Sequence, residues 1–393
     1  MTSHARSAPG LVLFMSVFTS QAAVLVLSPI LVKVARDLHV STAVAGQLRI
    51  FAAPVAAVVA VLLARYGGAF ALRSILLAST TLVAVGSVAS AAAPSFLTLA
   101  FGQLPLWIGV AGLVAGGIGA AGAWSTPEAR TRVVARALAG APAAWVVGMP
   151  LIGLVSHASW RYAFLAVPLP AALVTAGLLL VNRPAELRRE SASLPALLRE
   201  PGARTWAFGE LLAMSAWAGT LVFSGALFVE TYGTSAQVTG LLLAAVAVAY
   251  LGGNALGGKI AGDCRLKRAL AHTNIAGAVA VGATWIVTPN VVVTAVLFAA
   301  AGVVAAARTV AGTTYGFRLA GEKKLEVGAA RAAVTHVGYL VGSVLGGAAL
   351  ALAGRQGVGI VFALLFVAAA VPYASTWAAR CAPGSAYLSA AGS

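Results

Sequence analysis

A chain of 393 residues that is 60% hydrophobic and only 9% charged, with a mean hydropathy of +0.94, carries more apolar surface than a water-soluble core can hide. Its 26 Lys and Arg against 10 Asp and Glu give a formal net charge of +16, which in a soluble protein would point to nucleic acid. Here the basic residues gather in alternate short loops between apolar segments, the pattern of a cytoplasmic membrane face, so nucleic acid is excluded as the expected partner.

Each apolar segment is long enough to cross roughly 30 Å of hydrocarbon as a helix, where every backbone polar group must be satisfied within the segment. The expected spans are 9–32, 43–63, 71–92, 97–121, 132–155, 162–182, 205–228, 236–259, 268–287, 290–314, 328–352 and 357–379. The first follows a short basic stretch with His4 and Arg6 but runs on without a cleavage site, so it reads as a retained helix and not a signal peptide. The fold class is therefore an all-α polytopic membrane protein with twelve transmembrane helices in two pseudo-symmetric six-helix halves. The halves are 1–182 and 205–393, joined by a polar linker at 183–204 in which Leu187, Leu194, Leu197 and Leu198 suggest a short amphipathic surface helix.

Orientation follows from charge. Arg65 and Arg73, Arg130 with Arg132 and Arg136, the linker arginines, Arg265 with Lys267 and Arg268, and Arg318 with Lys323 and Lys324 share one side, which places both termini in the cytoplasm. A faint internal repeat pairs the loop Leu62 to Gly68 with Gly257 to Asp263, six spans later. Two comparable halves permit alternating access around a central site, which a channel would not require.

Four ionisable residues inside spans are costly to bury unless they work or pair: Arg49, Glu210, Arg308 and His336. Arg49 can attract an anionic substrate or snorkel to an interface. Glu210 is the first candidate for proton coupling and His336 the second. Arg308 can bind substrate or pair with Glu210. A polar and aromatic cavity is expected from Ser20, Gln21, Gln103, Trp107, Trp145, Trp217, Tyr250, Asn254, Thr309, Thr314 and Tyr315. Trp160 and Trp285, near segment ends, read as interfacial anchors. The fifth span holds Gly148, Pro150 and Gly153, echoed in the eleventh by Gly338, Gly342, Gly346 and Gly347; such helices serve as close-packed gating elements between halves.

The half-repeat, the loop at Arg65, Gly67 and Gly68, the run Gly148-Met149-Pro150-Leu151-Ile152-Gly153 and the run Trp160 to Leu165 resemble the major facilitator superfamily, and within it the twelve-span bacterial drug and metabolite proton antiporters. That resemblance implies a functional monomer in a bacterial inner membrane, embedded in lipids, that exports a small-molecule substrate in exchange for protons. It also implies gating roles at Arg65, Gly67, Gly258 and Asp263. The chain departs from the family pattern at Ala64, Gly68 and Ala69, where an acid and further basic residues are usual, and at Phe101-Gly102-Gln103, where an arginine is frequent. With acids missing, the alternative is a facilitator or uptake carrier for an organic metabolite, an anionic one included because Arg49 and Arg308 can neutralise it. No phosphate-binding loop, metal-ligand cluster or hydrolase motif is present in the sequence, and Cys264 and Cys381 form no motif, so no cofactor, no metal and no enzymatic activity are expected.

Overall fold

The structure, a computed structural model, describes residues 8–123, 136–137, 139–182, 192–261, 266–320 and 324–374. Asp263, Cys264, Cys381 and Leu187 lie outside these residues. The described chain is helical, and no strand occurs in it. In chain order, α1 is Ala8–Leu25, α2 Leu31–Asp37, α3 Thr42–Gly46, α4 Arg49–Tyr66, α5 Leu72–Ala91 and α6 Phe96–Ala123. Next come α7, Gly140–Val155; α8, Arg161–Ala166; α9, Pro168–Asn182; and a one-turn α10, Leu194–Leu197. The remainder is α11, Ala203–Tyr232; α12, Ala236–Ala261; α13, Leu266–Ile286; α14, Val291–Ala320; and α15, Lys324–Ala374.

Ten stretches of described helix are long and apolar enough to cross a membrane, and α7 is a shorter apolar one. The last, Glu326–Tyr373, is 48 residues, far more than a single crossing needs. It doubles back at Gly354, whose φ of 59° and ψ of −158° are open to glycine and strained for other residues. Phe362 consequently packs beside Gly346, although a straight helix would hold residues at that spacing about 24 Å apart. The helix therefore supplies two crossings, and the count is consistent with twelve.

Local sequence explains several boundaries. The first span is interrupted where α1 gives way to a 3-10 turn at Ser28–Ile30, because Pro29 has no N–H to continue an α-helix. Ser41 accepts a hydrogen bond from the Val44 N–H at 3.2 Å and caps α3, and Asn290 does the same for Val293 at 2.9 Å at the start of α14. Side chains such as Phe101, Val181, Val279 and Leu352 point outward into the surroundings, as lipid-facing residues do.

Packing separates into two sets. Helices α1, α4, α5, α6 and α9 pack on one another, as do α11, α12, α13, α14 and α15. The sets meet chiefly along α4 against α15 and α7 against α12. At the bundle end away from the linker, here the far end, small residues let the sets touch. A Cβ on Gly225 would overlap the Ser28 carbonyl, one on Gly46 the Phe223 ring, one on Gly153 the Ala236 carbonyl and one on Gly240 the Met149 carbonyl. At the linker end, the Ala192 N–H donates to the Ala64 carbonyl at 2.8 Å, and these alanines cluster with Ala329 of α15. The linker helix matches the sequence reading in part. Leu197 is buried against Trp206, Ala320 and Val327, while Leu198 is exposed.

The glycine stripe of the eleventh span differs from its expected role. Gly338, Gly342 and Gly346 pack on Met214, Gly219 and Phe223 of α11, inside their own set, and only Gly347 reaches across, to Gln47 and Ala43. Their spacing of four puts them on one helical face, which serves to seat α15 on α11.

Candidate functional site

Two groups of buried polar residues lie inside the bundle. The first centres on Glu210, one turn along α11 from Trp206. The facing helix α14 presents Gly312 and Gly316, also one turn apart; a Cβ on Gly312 would overlap the Glu210 carboxylate and one on Gly316 the Trp206 indole. The small-residue pair thus creates the slot that admits both side chains. Trp206 fixes the register by donating its indole N–H to the Gly312 carbonyl at 2.8 Å.

Glu210 is fully buried and bridges two arginines. Arg308 approaches Oε1 at 2.8 Å as an ion pair, and Arg331 of α15 hydrogen-bonds Oε2. Arg308 is held further by the Asn274 side-chain oxygen at 3.1 Å and the Gly209 carbonyl at 3.3 Å. Its charge and geometry are therefore fixed by three helices, α11, α13 and α14. Arg331 is the looser member, with 18% of its side chain exposed against 4% for Arg308.

The second group lies at the seam between the sets. Arg49 opens α4 and is only 1% exposed, so it does not snorkel to a surface. It donates to the Val24 carbonyl at 2.7 Å, one of the last four carbonyls of α1, which have no partner within that helix. Its guanidinium sits 4.6 Å from the ring of Tyr339 and 5.5 Å from that of Trp107, which stabilises a desolvated cation by about 2 kcal/mol. His336 meets Trp107 edge-on at 5.9 Å. Arg49 Nε and Nη1 and His336 Nδ1 are buried with no hydrogen-bond partner among the described residues.

Between the groups runs an aromatic floor. Tyr250 stacks on Trp217 at 6.0 Å and leans on Trp145 at 5.4 Å, and Trp145 donates to the Gln21 side chain at 3.2 Å. Tyr250 also hydrogen-bonds Thr309 and lies within the electrostatic reach of Arg308 and Arg331. Both sets contribute: Gln21 and Trp145 come from the first, Trp217, Tyr250 and Thr309 from the second.

The structure thus brings Gln21, Trp145, Trp217, Tyr250 and Thr309 together, and Arg49, Trp107 and His336 together. Asn254 is half-buried one turn beyond Tyr250. Other expected cavity residues are committed elsewhere. Gln103 donates to Ser90 Oγ at 2.8 Å and ties α5 to α6. Ser20 and Thr314 return their hydroxyls to carbonyls of their own helices, and Tyr315 packs on Tyr373. Trp160 and Trp285 are buried, not interfacial; Trp160 donates to Asp37 at 2.7 Å, and Arg161 pairs with the same carboxylate at 2.7 Å.

Of the expected gating positions, Gly153 lies in the close approach between α7 and α12, and Gly240, from α12, sits over Met149 and Pro150. Gly148 makes an ordinary contact with Val167 within the first set. Gly258 faces open space; the close approach of α12 to α14 falls on Gly253 and Gly257. Arg65 is exposed and turns onto its neighbour Tyr66, and Gly67 is buried at the start of a 3-10 turn. Sequence reasoning missed Arg331, which lies three residues inside an expected span and there resembles a residue snorkelling at an edge. The Gly312 and Gly316 pair opposite Trp206 and Glu210 was the available signal.

Similarity to known proteins agrees with this architecture. No curated protein sequence matches the chain. Two solved structures of a bacterial homologue of the human lysosomal transporter Spinster, inward-facing and either unoccupied or occupied, superpose with a TM-score of 0.74 at 16% identity. The matches cover 95% of this chain and 96% or 97% of those chains. The family model of the Major Facilitator Superfamily matches residues 13–228, more than half of the sequence. The chain belongs to the major facilitator superfamily.

Proposed function

We propose that this protein carries a small amphipathic organic anion across a bacterial inner membrane, with the linker end and both termini in the cytoplasm. Membership of the superfamily supports a multi-pass membrane transporter that works by alternating access. The observation that carries the substrate reading is charge balance. Arg49, Arg308 and Arg331 face the bundle interior, and Glu210 is the carboxylate among them. An interior with surplus guanidinium attracts anions and repels cations at short range, where low dielectric strengthens both effects. The aromatic floor of Trp145, Trp217 and Tyr250 suits an apolar body.

Coupling follows from the burial of Glu210. An anion brought into the same low-dielectric interior repels the carboxylate, a cost relieved when the carboxyl takes a proton. Anion and proton then enter together. A second reading, efflux of a neutral drug or metabolite by proton antiport, is favoured by the full burial of Glu210, since a proton there alters the packing of α11 against α14 and α15. The two readings differ in sign. In proteoliposomes, an acid exterior drives uphill uptake of an anion under co-transport and uphill expulsion of the substrate under antiport. Uptake of organic anions that ignores the pH gradient would sink both couplings and leave a facilitator; failure to move any organic anion, with neutral amphipaths moved, would overturn the anion reading.

A further inference from the structure

We infer that Arg49, clasped by Trp107 of the first set and by Tyr339 of the second, is the subsite that takes the acidic group of the transported anion. The inference rests on the anion-carrier reading and assigns its charge recognition to one residue. Arg308 and Arg331 are already committed to Glu210, and Arg308 also to Asn274 and Gly209. Among the described residues Arg49 has no carboxylate partner; it donates to the Val24 carbonyl and hydrogen-bonds the Tyr339 side chain.

Beside these bonds and the two ring contacts, Nε and Nη1 have no hydrogen-bond partner among the described residues, although the residue is 1% exposed. Capping the end of α1 requires one N–H donor and no charge, and the rings require only a cation. Neither accounts for donors held out of water without an acceptor, which costs about 1–3 kcal/mol or more for a charged group. An incoming carboxylate, sulfonate or phosphate ester satisfies both the charge and the donors. Two further groups serve it. His336 Nδ1 and Ser343 Oγ are buried without partners among the described residues, and His336, Tyr339 and Ser343 recur along α15 at intervals of three and four residues, on one face.

Position gives the subsite its transport role. Arg49 and Trp107 belong to one set, and Tyr339, His336 and Ser343 to the other, so parting of the sets changes the contacts available to a bound anion. Affinity that differs between states is what lets a ligand bias a conformational equilibrium. The face of Trp107 and the ring of Tyr339 also lie where the apolar body adjoining the acidic group would rest.

The test compares octanoate with octanamide, and phenylacetate with phenylacetamide, on the purified full-length chain, by quenching of tryptophan fluorescence and by uptake into proteoliposomes. Each acid is expected to bind about tenfold more tightly than its amide, the scale of one charge-assisted contact. In Arg49→Gln that preference collapses while amide affinity holds. No acid preference in the unmodified protein, or an equal loss for acid and amide in Arg49→Gln, overturns the subsite. Should Arg49→Gln not fold, Arg49→Lys decides: it keeps a charge but loses the planar donor set, and an undiminished acid preference there overturns the proposal. Acids that bind with this preference but are never transported would sink the carrier reading and leave the subsite standing. Transport of acids with the preference intact in Arg49→Gln would do the reverse.

Discussion

The two buried basic centres are built on opposite plans. Around Glu210, two arginines, an asparagine and a main-chain carbonyl are joined by ion pairs and hydrogen bonds within a single set of helices. Around Arg49, the cation is held by rings and one carbonyl at the meeting of both sets, with donors to spare. When one set rocks against the other, contacts at the seam are the first to be remade and contacts inside a set the last. On the proposed function, the first centre holds its set together and offers a carboxylate to a proton, and the second meets the solute.

The harshest way to break this comparison is to remove the carboxylate. Glu210→Gln leaves Arg308 and Arg331 facing each other without their counter-ion, and loss of one member of a buried pair costs about 3–5 kcal/mol. Thermal unfolding in detergent is expected to fall accordingly, and solute uptake is expected to lose its response to an imposed pH gradient. Adding Arg331→Gln should recover much of the stability without restoring the response. Full stability in Glu210→Gln alone would show that the cluster is not mutually compensated.

A milder change tests whether the seam moves. A Cβ on Gly240 would overlap the Met149 carbonyl, so Gly240→Val wedges α12 away from α7 at about 1–3 kcal/mol of overpacking. The far end is then expected to stand open more of the time, read as faster labelling of a cysteine placed at Gln237. Unchanged labelling would mean that the far end does not close through this contact. The smallest effect is expected from Gln103→Leu, which removes the bond to Ser90 and costs about 0.5–1.5 kcal/mol of stability. Transport should be untouched, and a changed solute preference would return Gln103 to the site.

Much of the fold was legible because lipid imposes a length and a composition on each crossing; expected 71–92 became Leu72–Ala91, and expected 236–259 became Ala236–Ile260. The pairing of Glu210 with Arg308 was legible too, since buried charges seek partners. Roles that depend on which neighbour a face meets at each level were not. Gln103 and Trp107 share a face of α6 one turn apart, yet one ties that helix to α5 and the other meets Arg49. Hydropathy does not report which helix crosses at a given level when every face is apolar. Arg331 escaped for a related reason: near the end of a span, a paired arginine and a snorkelling one have the same sequence.

The broken first span carries a consequence for how the solute is sensed. Arg49 caps Val24, and four residues on, Ser28 donates its hydroxyl to the Leu221 carbonyl while its own carbonyl nests on Gly225. If the solute binds at Arg49 as proposed, a tug on the guanidinium acts one helical turn from the contact that joins the two sets at the far end, so cargo capture and that latch share one short lever at the break after α1.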